Sequence, residues 1–215
     1  MAFNVIPAPH TRTHRSEVGV FVAPARTLLS ADSFNRADST TNLGSTDGVS
    51  PNNDGPGILD PLTWTQQRGT WGINTNRAYT SVSTGGAIAT VDLLTPDVDI
   101  TITVRVVSLL GSIIFRFVDT SNYFEFFYRS TGSAFFLRRI QSGSATVLGT
   151  TTHIPFVQVN DTIRMVAAGS AIACYWNATS LFTATDTFQQ TVTKHGLQIS
   201  ADTGARLDDW TAYPA

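Results

Sequence analysis

Residues 97–105, Asp-Val-Asp-Ile-Thr-Ile-Thr-Val-Arg, alternate without a break: Val98, Ile100, Ile102 and Val104 are apolar, while Asp97, Asp99, Thr101, Thr103 and Arg105 are polar. A period of two sends successive side chains to opposite faces of a pleated strand, so this stretch reads as a strand with one buried face. Asp97 and Asp99 share the other face with Thr101 and Thr103, which reads as a solvated, solubilising surface. Strand patterning extends outward from Ala87 to Leu148. A hairpin turning at Asp119-Thr120-Ser121-Asn122 sets Phe117 against Phe124, Phe115 against Phe126 and Ile113 against Tyr128, all core-like residues. The same register puts Arg116 opposite Glu125 on the second face, and a turn at Thr131-Gly132 puts Glu125 opposite Arg138. Tyr123, Phe127 and Phe136 wall this predicted ladder, so the second face is neither plain solvent surface nor plain core.

Flanking segments repeat the pattern. A Ser142-Gly143 turn places Leu137 opposite Leu148, and a hairpin about Gly169-Ser170 aligns Ala167 with Ile172, Met165 with Cys174 and Ile163 with Trp176. Short strands are expected over Thr63–Gln67, Thr70–Asn74, Ala78–Val82 and Gly86–Leu94, and closing strands over His195–Ser200 and Ala205–Tyr213. No segment carries a helical period, which makes the chain all-β, an antiparallel two-sheet sandwich whose first and last strands pair.

With 215 residues, 42% of them hydrophobic, the chain suffices for one main domain, expected over residues 29–215. Fourteen basic residues against 16 acidic ones, with no Lys/Arg run in the strands, lack the footprint of a nucleic-acid partner. No stretch approaches the roughly 20 apolar residues of a membrane span, and the amino terminus has no signal-peptide core, so a soluble protein made in a cytosol is expected, without membrane insertion. Cys174, the single cysteine, alternates with Ile172 and Trp176 and reads as a small buried hydrophobe. Residues 1–28 differ in kind: Pro7, Pro9, Pro24, His10, His14, Arg12, Arg15 and Arg26 are scattered without a period. They read as an extended arm, either disordered or laid on a partner. Asn35–Leu62 reads as a long functional loop.

Several segments together resemble a known family: Asp32-Ser33-Phe34-Asn35-Arg36-Ala37-Asp38-Ser39, Thr63-Trp64-Thr65, Gly69-Thr70-Trp71-Gly72-Ile73, Phe115-Arg116-Phe117-Val118-Asp119 with Ser121-Asn122-Tyr123, and Arg206-Leu207-Asp208-Asp209-Trp210. Over roughly residues 30–213 the chain resembles concanavalin A-like (laminin-G-like) jelly rolls. Such domains occur in secreted glycan-active bacterial proteins and in minor tail or capsid-decoration proteins of tailed bacteriophages. A Pro/His/Arg leader running straight into the domain looks more like the phage group, especially phages of actinobacteria. The resemblance implies a jelly roll with a binding or scaffolding role: a virion component assembled in the host cytoplasm. Its arm would dock on other tail or capsid proteins, self-association is expected, and a host surface glycan could be a ligand. The alternative is a free-standing carbohydrate-binding module for cell-wall glycans.

Glycoside hydrolysis needs two carboxylates about 5 to 9.5 Å apart. The chain has two glutamates, Glu17 in the arm and Glu125, which the flanking arginines are expected to hold at a depressed pKa, so no catalytic residue is assigned. Arg116, Tyr123, Glu125, Phe127, Phe136 and Arg138 could stack and hydrogen-bond a sugar, hold strand register as an ion-pair row, or form a subunit interface. All three readings stand, the last two together outweighing the first. No cofactor is required; calcium between Asp32 of the opening strand and Asp208 of the closing one would suit hard oxygen ligands by analogy with related jelly rolls. Asp38, Asp47, Asp54 and Asp209 lie in the same loops and closing strand. The four histidines are too scattered for zinc. Trp64, Trp71 and Trp210 could be sugar platforms but read first as packing for the sandwich ends, and Trp176 as core.

Overall fold

A computed structural model describes residues 26–47, 60–81, 86–106, 111–129, 134–151, 157–200 and 203–215. These form strands and no helix, hence no helix long and apolar enough to cross a membrane. In chain order the strands are β1 Ser30–Asp32, β2 Thr65–Arg68, β3 Trp71–Ile73, β4 Ala78–Thr80, β5 Ala87–Asp92, β6 Val98–Val106, β7 Gly111–Asp119, β8 Asn122–Arg129, β9 Ala134–Gln141, β10 Ser144–Thr151, β11 Thr162–Ala168, β12 Ala171–Trp176, β13 Thr179–Thr185, β14 Lys194–Ile199 and β15 Arg206–Pro214. One antiparallel sheet runs β13-β12-β11-β6-β15-β4-β3 with β1 on β15, and the other runs β10-β9-β8-β7-β14-β5-β2.

The alternation of β6 explains the sandwich. Val98, Ile100, Ile102 and Val104 enter one core with Phe115, Phe124, Phe126, Phe135 and Leu137 of the facing sheet. The β11–β12 hairpin keeps its expected register, Ile163 to Trp176, Met165 to Cys174 and Ala167 to Ile172. β1 pairs with β15, so first and last strands do meet. Cys174 is buried and free, and burial pushes its thiol pKa well above the usual range. The expected Leu137–Leu148 pair is displaced by a bulge, and Gly149 stands opposite Leu137 instead.

Three features differ from expectation. First, β13 had no sequence signal. Its hairpin turns on Asn177 and Ala178 with φ of 46° and 64°, the mirror-image two-residue turn that Asn-Gly normally announces. Phe182 of β13 then closes one side of the sandwich, since a Cβ on Gly149 of β10 would lie 2.5 Å from its ring.

Second, β7 bulges. Asp119 pairs with Asn122 as expected, but Phe115 faces Phe124 and Ile113 faces Phe126, so three residues of β7 span one of β8. Arg116 sits in the bulge at φ 49°, a costly conformation for a residue with a Cβ. Phe117 therefore leaves the main core for a second cluster with Ile88, Ile114, Tyr123 and Ile140 on the opposite face. Glu125 faces Ile114, and the ladder expected from Arg116 does not form.

Third, the polar residues of residues 97–99 are engaged rather than solvated. Fully buried Arg116 spans the two sheets: its Nη2 donates to Gly169 O at 2.6 Å and Asp97 Oδ1 at 3.2 Å, and its Nε to Pro96 O at 3.4 Å. Asp99, 3% exposed, is ion-paired with both Arg26 and Arg164. Burial opposes its ionisation, yet those arginine hydrogen bonds prevail and lower its pKa. Of the expected arm, residues 1–25 lie outside the described residues; Arg26 is held by Asp99 and by Pro214 O.

His195 completes the clasp. Its Nδ1 receives the Arg116 N–H at 3.4 Å and its Nε2 faces Thr95 O at 3.0 Å, a pairing that suits the neutral ring. Burial, with the Arg116 charge adding to it, lowers its pKa to about 4 from 6.5. Unfolding restores the ordinary pKa, so protons bind preferentially to the unfolded chain as pH falls from 6.5 towards 4. Stability is complete above that window and declines within it, by about 2 kcal/mol between pH 7 and 5. Denaturant midpoints of wild type and His195→Gln at both pH values should show this excess loss in wild type alone. An equal loss in both proteins, or a ring titrating near 6.5 by NMR, would contradict the clasp.

Candidate functional site

β8 divides its side chains between faces: Phe124, Phe126 and Tyr128 point to the main core, and Tyr123, Glu125, Phe127 and Arg129 to the outer face of the second sheet. Strand pairing aligns them with β9 as Tyr123 to Ile140, Glu125 to Arg138 and Phe127 to Phe136. One outer row continues from Phe136 and Phe127 through Ser112, Gln198 and Ile88 to Arg68 on the edge strand. Five of the six residues expected to form a site, Tyr123, Glu125, Phe127, Phe136 and Arg138, thus share a face; Arg116 is removed from it by the bulge.

Glu125, 1% exposed, is ion-paired with Arg138 Nη2. The Arg138 guanidinium lies 4.3 Å over the Phe127 ring, Phe127 stacks on Phe136 at 5.2 Å, and Arg129 lies 5.1 Å over Phe136. Guanidiniums thus cap both ends of a stacked pair of phenyl rings. Tyr123 packs on Phe117 at 5.8 Å. Arg68 was not expected here, because β2 is short and its place in the sheet is not encoded locally; it comes within hydrogen-bonding reach of Tyr123 and bears on Glu125.

The electrostatics correct one expectation. Burial raises the pKa of Glu125, and the opposing pull of Arg138 and Arg68 does not reverse it. Tyr123 is likewise raised, by burial and then by Glu125. Arg68 Nε, Arg138 Nε and Gln198 Oε1 are buried without a hydrogen-bond partner. Unpaired buried polar atoms are costly, so a face that gathers three of them with aromatic walls has the composition of a binding site.

A raised glutamate could serve as an acid, but hydrolysis needs a second carboxylate. Asp92, at the end of β5 on the same face, lies three strands from β8 in the sheet order, about 14 Å at the usual strand spacing. That exceeds the roughly 5 to 9.5 Å of a glycosidase pair.

Asp32 and Asp208 do not fit calcium. Asp32 Oδ2 accepts from Trp64 Nε1 at 2.6 Å and Arg36 Nη2 at 2.6 Å, and its Oδ1 from Phe34 N at 2.7 Å. Asp208 accepts from Arg105 Nε at 2.9 Å and Asp209 N at 3.0 Å. N–H donors therefore hold the oxygens a cation would need, and no group of three metal-ligating side chains occurs among the described residues. The opening motif is instead a structural clasp: Trp64 stands edge-on to Trp210 at 5.1 Å and packs on Phe34 at 6.1 Å. Trp64, Trp71 and Trp210 are buried, and Trp176 is partly buried with its indole N–H on Asp161.

No protein-family model matches the chain, and no curated protein sequence does. Solved structures do. The chain is similar to carbohydrate-binding module CBM66 from Bacillus subtilis, with a TM-score of 0.59 and 16% identity over 70% of this chain and 94% of that one. The chain has a concanavalin A-like jelly-roll fold. It is similar also to domain 4 of AbnA, a GH43 extracellular arabinanase from Geobacillus stearothermophilus solved with arabinotriose, with a TM-score of 0.55 and 15% identity over 88% of this chain and 93% of that one. The exoplasmic/lumenal domain of VIP36 in a Ca2+/Man-bound form gives a TM-score of 0.54 and 9% identity over 74% and 85%. At these identities the likeness is one of fold.

The register makes a direct test. In double-mutant cycles, Glu125→Gln and Arg138→Met should couple by at least about 1 kcal/mol, because each single change strands a desolvated partner. Glu125→Gln and Arg116→Met should be additive within about 0.5 kcal/mol. Denaturant unfolding checks both; coupling to Arg116 as well as to Arg138 would restore the unbulged register, and no coupling to Arg138 would contradict the β8–β9 pairing.

Proposed function

We propose that this chain is a non-catalytic carbohydrate-binding domain and that its ligand sits on the outer face of the second sheet. The observation that carries this is one sheet face that bears both aromatic rings, Tyr123, Phe127 and Phe136, and buried polar atoms without a partner, Arg138 Nε beside Phe127 and, further along the row, Gln198 Oε1 and Arg68 Nε. A sugar ring needs both: its C–H face packs on an aromatic ring and its hydroxyls both donate and accept. Gln198 Oε1 supplies an acceptor, the arginine edges supply donors, and Tyr123 supplies a hydroxyl. That several similar folds are described as carbohydrate-binding or as holding a sugar adds to this reading. Among the described residues, the carboxylate of Asp92 on the same face lies out of range of Glu125, which speaks for binding rather than cleavage.

The expected virion role rests on the leader, residues 1–25 of which lie outside the described residues, and none of the similar folds named above is described as a phage protein. Glycan binding is therefore the stronger reading of the domain, whatever larger particle or protein displays it.

Calorimetric titration against cell-wall polysaccharides and arabinans is the test. Phe136→Ala and Gln198→Ala should each weaken binding about tenfold, near 1.4 kcal/mol, while Arg164→Gln on the other sheet should not. Wild type that binds no glycan, or face variants that bind as wild type does, would refute the site; sugar release by purified protein would refute the non-catalytic reading.

A further inference from the structure

Arg129 ends the outer stripe of β8, exposed, with its guanidinium over Phe136. On the next strand Arg138 pairs with Glu125 and Arg139 with Asp186, and across the sandwich Arg164 pairs with Asp99. Arg129, by contrast, has no hydrogen-bond or ion-pair partner among the described residues. Charge is unbalanced at this end of the face: Arg129 and Arg138 lie beside Phe136 and Phe127, and the carboxylate next to them, Glu125, is already committed to Arg138.

The stack sets the direction of approach. Arg138 and Phe136 enclose Phe127, which is 2% exposed, so the inner ring is covered by the face's own side chains. Phe136 is only half-buried, and Arg129 beside it is open to solvent. A sugar entering at this end meets the guanidinium of Arg129, which lies over Phe136, together with the exposed edge of that ring. Stacking restricts the guanidinium while leaving its N–H edge free, the arrangement that takes a carboxylate through two parallel hydrogen bonds.

We propose that the ligand of this face is an acidic glycan, a polysaccharide of uronic-acid type whose carboxylate pairs with Arg129. The proposal rests on the glycan-binding reading above and adds the chemical class of the sugar. Neutral glycans would engage Phe136 and Gln198 but leave the Arg129 charge unused.

The test compares polygalacturonate, alginate and hyaluronate with their carboxyl-reduced neutral counterparts, by calorimetry at low and at raised salt. Wild type should bind at least one acidic polymer tenfold or more tighter than its reduced form, with the advantage shrinking as salt screens the pair. Arg129→Gln should abolish that advantage, bringing the acidic polymer down to the affinity of its reduced form; Arg129→Lys should restore part of it. Equal affinity for acidic and reduced forms, or an unchanged ratio in Arg129→Gln, would overturn the acidic assignment and leave glycan binding intact. Failure of every polymer, acidic or neutral, would overturn both. Displacement of the polymer by acetate or sulfate at low millimolar concentration would show a plain anion site and would likewise overturn the assignment.

Discussion

Glu125 is desolvated on a sheet face turned away from the main core, and an isolated carboxylate there would cost several kcal/mol. Its neighbours follow from that constraint. Arg138 must stand opposite on β9, its aliphatic stem and guanidinium cover Phe127, and Arg68 must come in from the far edge. Burial still prevails over both charges and raises the carboxyl pKa, so the cluster is not at its electrostatic optimum. Polar atoms left without partners beside it belong to the same economy: a sheet that only needed to cover its core would put plain solvent-facing residues here.

The β7 bulge makes two faces from one aromatic strand pair. Without it Phe115 and Phe117 would share the core side; with it Phe115 packs inward on Phe124 and Phe117 packs outward on Tyr123. The bulge also removes Arg116 from the outer face and turns it into a bolt between sheets, tied to Asp97, Gly169 and the neutral ring of His195. The positive φ at Arg116 is offset by those hydrogen bonds. The make-up of the outer face and the closure of the sandwich therefore depend on one irregularity.

Strand alternation made most of the fold legible. β6, the β11–β12 hairpin, the β8–β9 register and the pairing of first and last strands all follow from period-two patterning and turn residues. That five of the six expected residues share one face was readable because β8 and β9 pair without irregularity. Arg116 was misplaced because nothing local distinguishes Phe-Arg-Phe in a bulge from Phe-Arg-Phe in a regular strand. Arg68 and Gln198 were invisible for another reason: β2 and β14 join this sheet through contacts distant in sequence, which no local pattern records. β13 was hidden because Leu181 and Phe182 adjoin and break the period-two alternation after the Asn177-Ala178 turn, and the Asp32 clasp by chemistry that suits N–H donors as well as calcium.

The central claim is that the outer face of the second sheet, and not the arginine-lined outer face of the first, holds the ligand. Chemical-shift mapping by NMR during titration with a bound glycan tests it directly. Resonances of Tyr123, Phe127, Arg129, Phe136, Arg138 and Gln198 should move together with one dissociation constant, while Arg26, Asp99 and Arg164 stay in place. Shifts clustered on Asp99 and Arg164, with β8 and β9 silent, would contradict it.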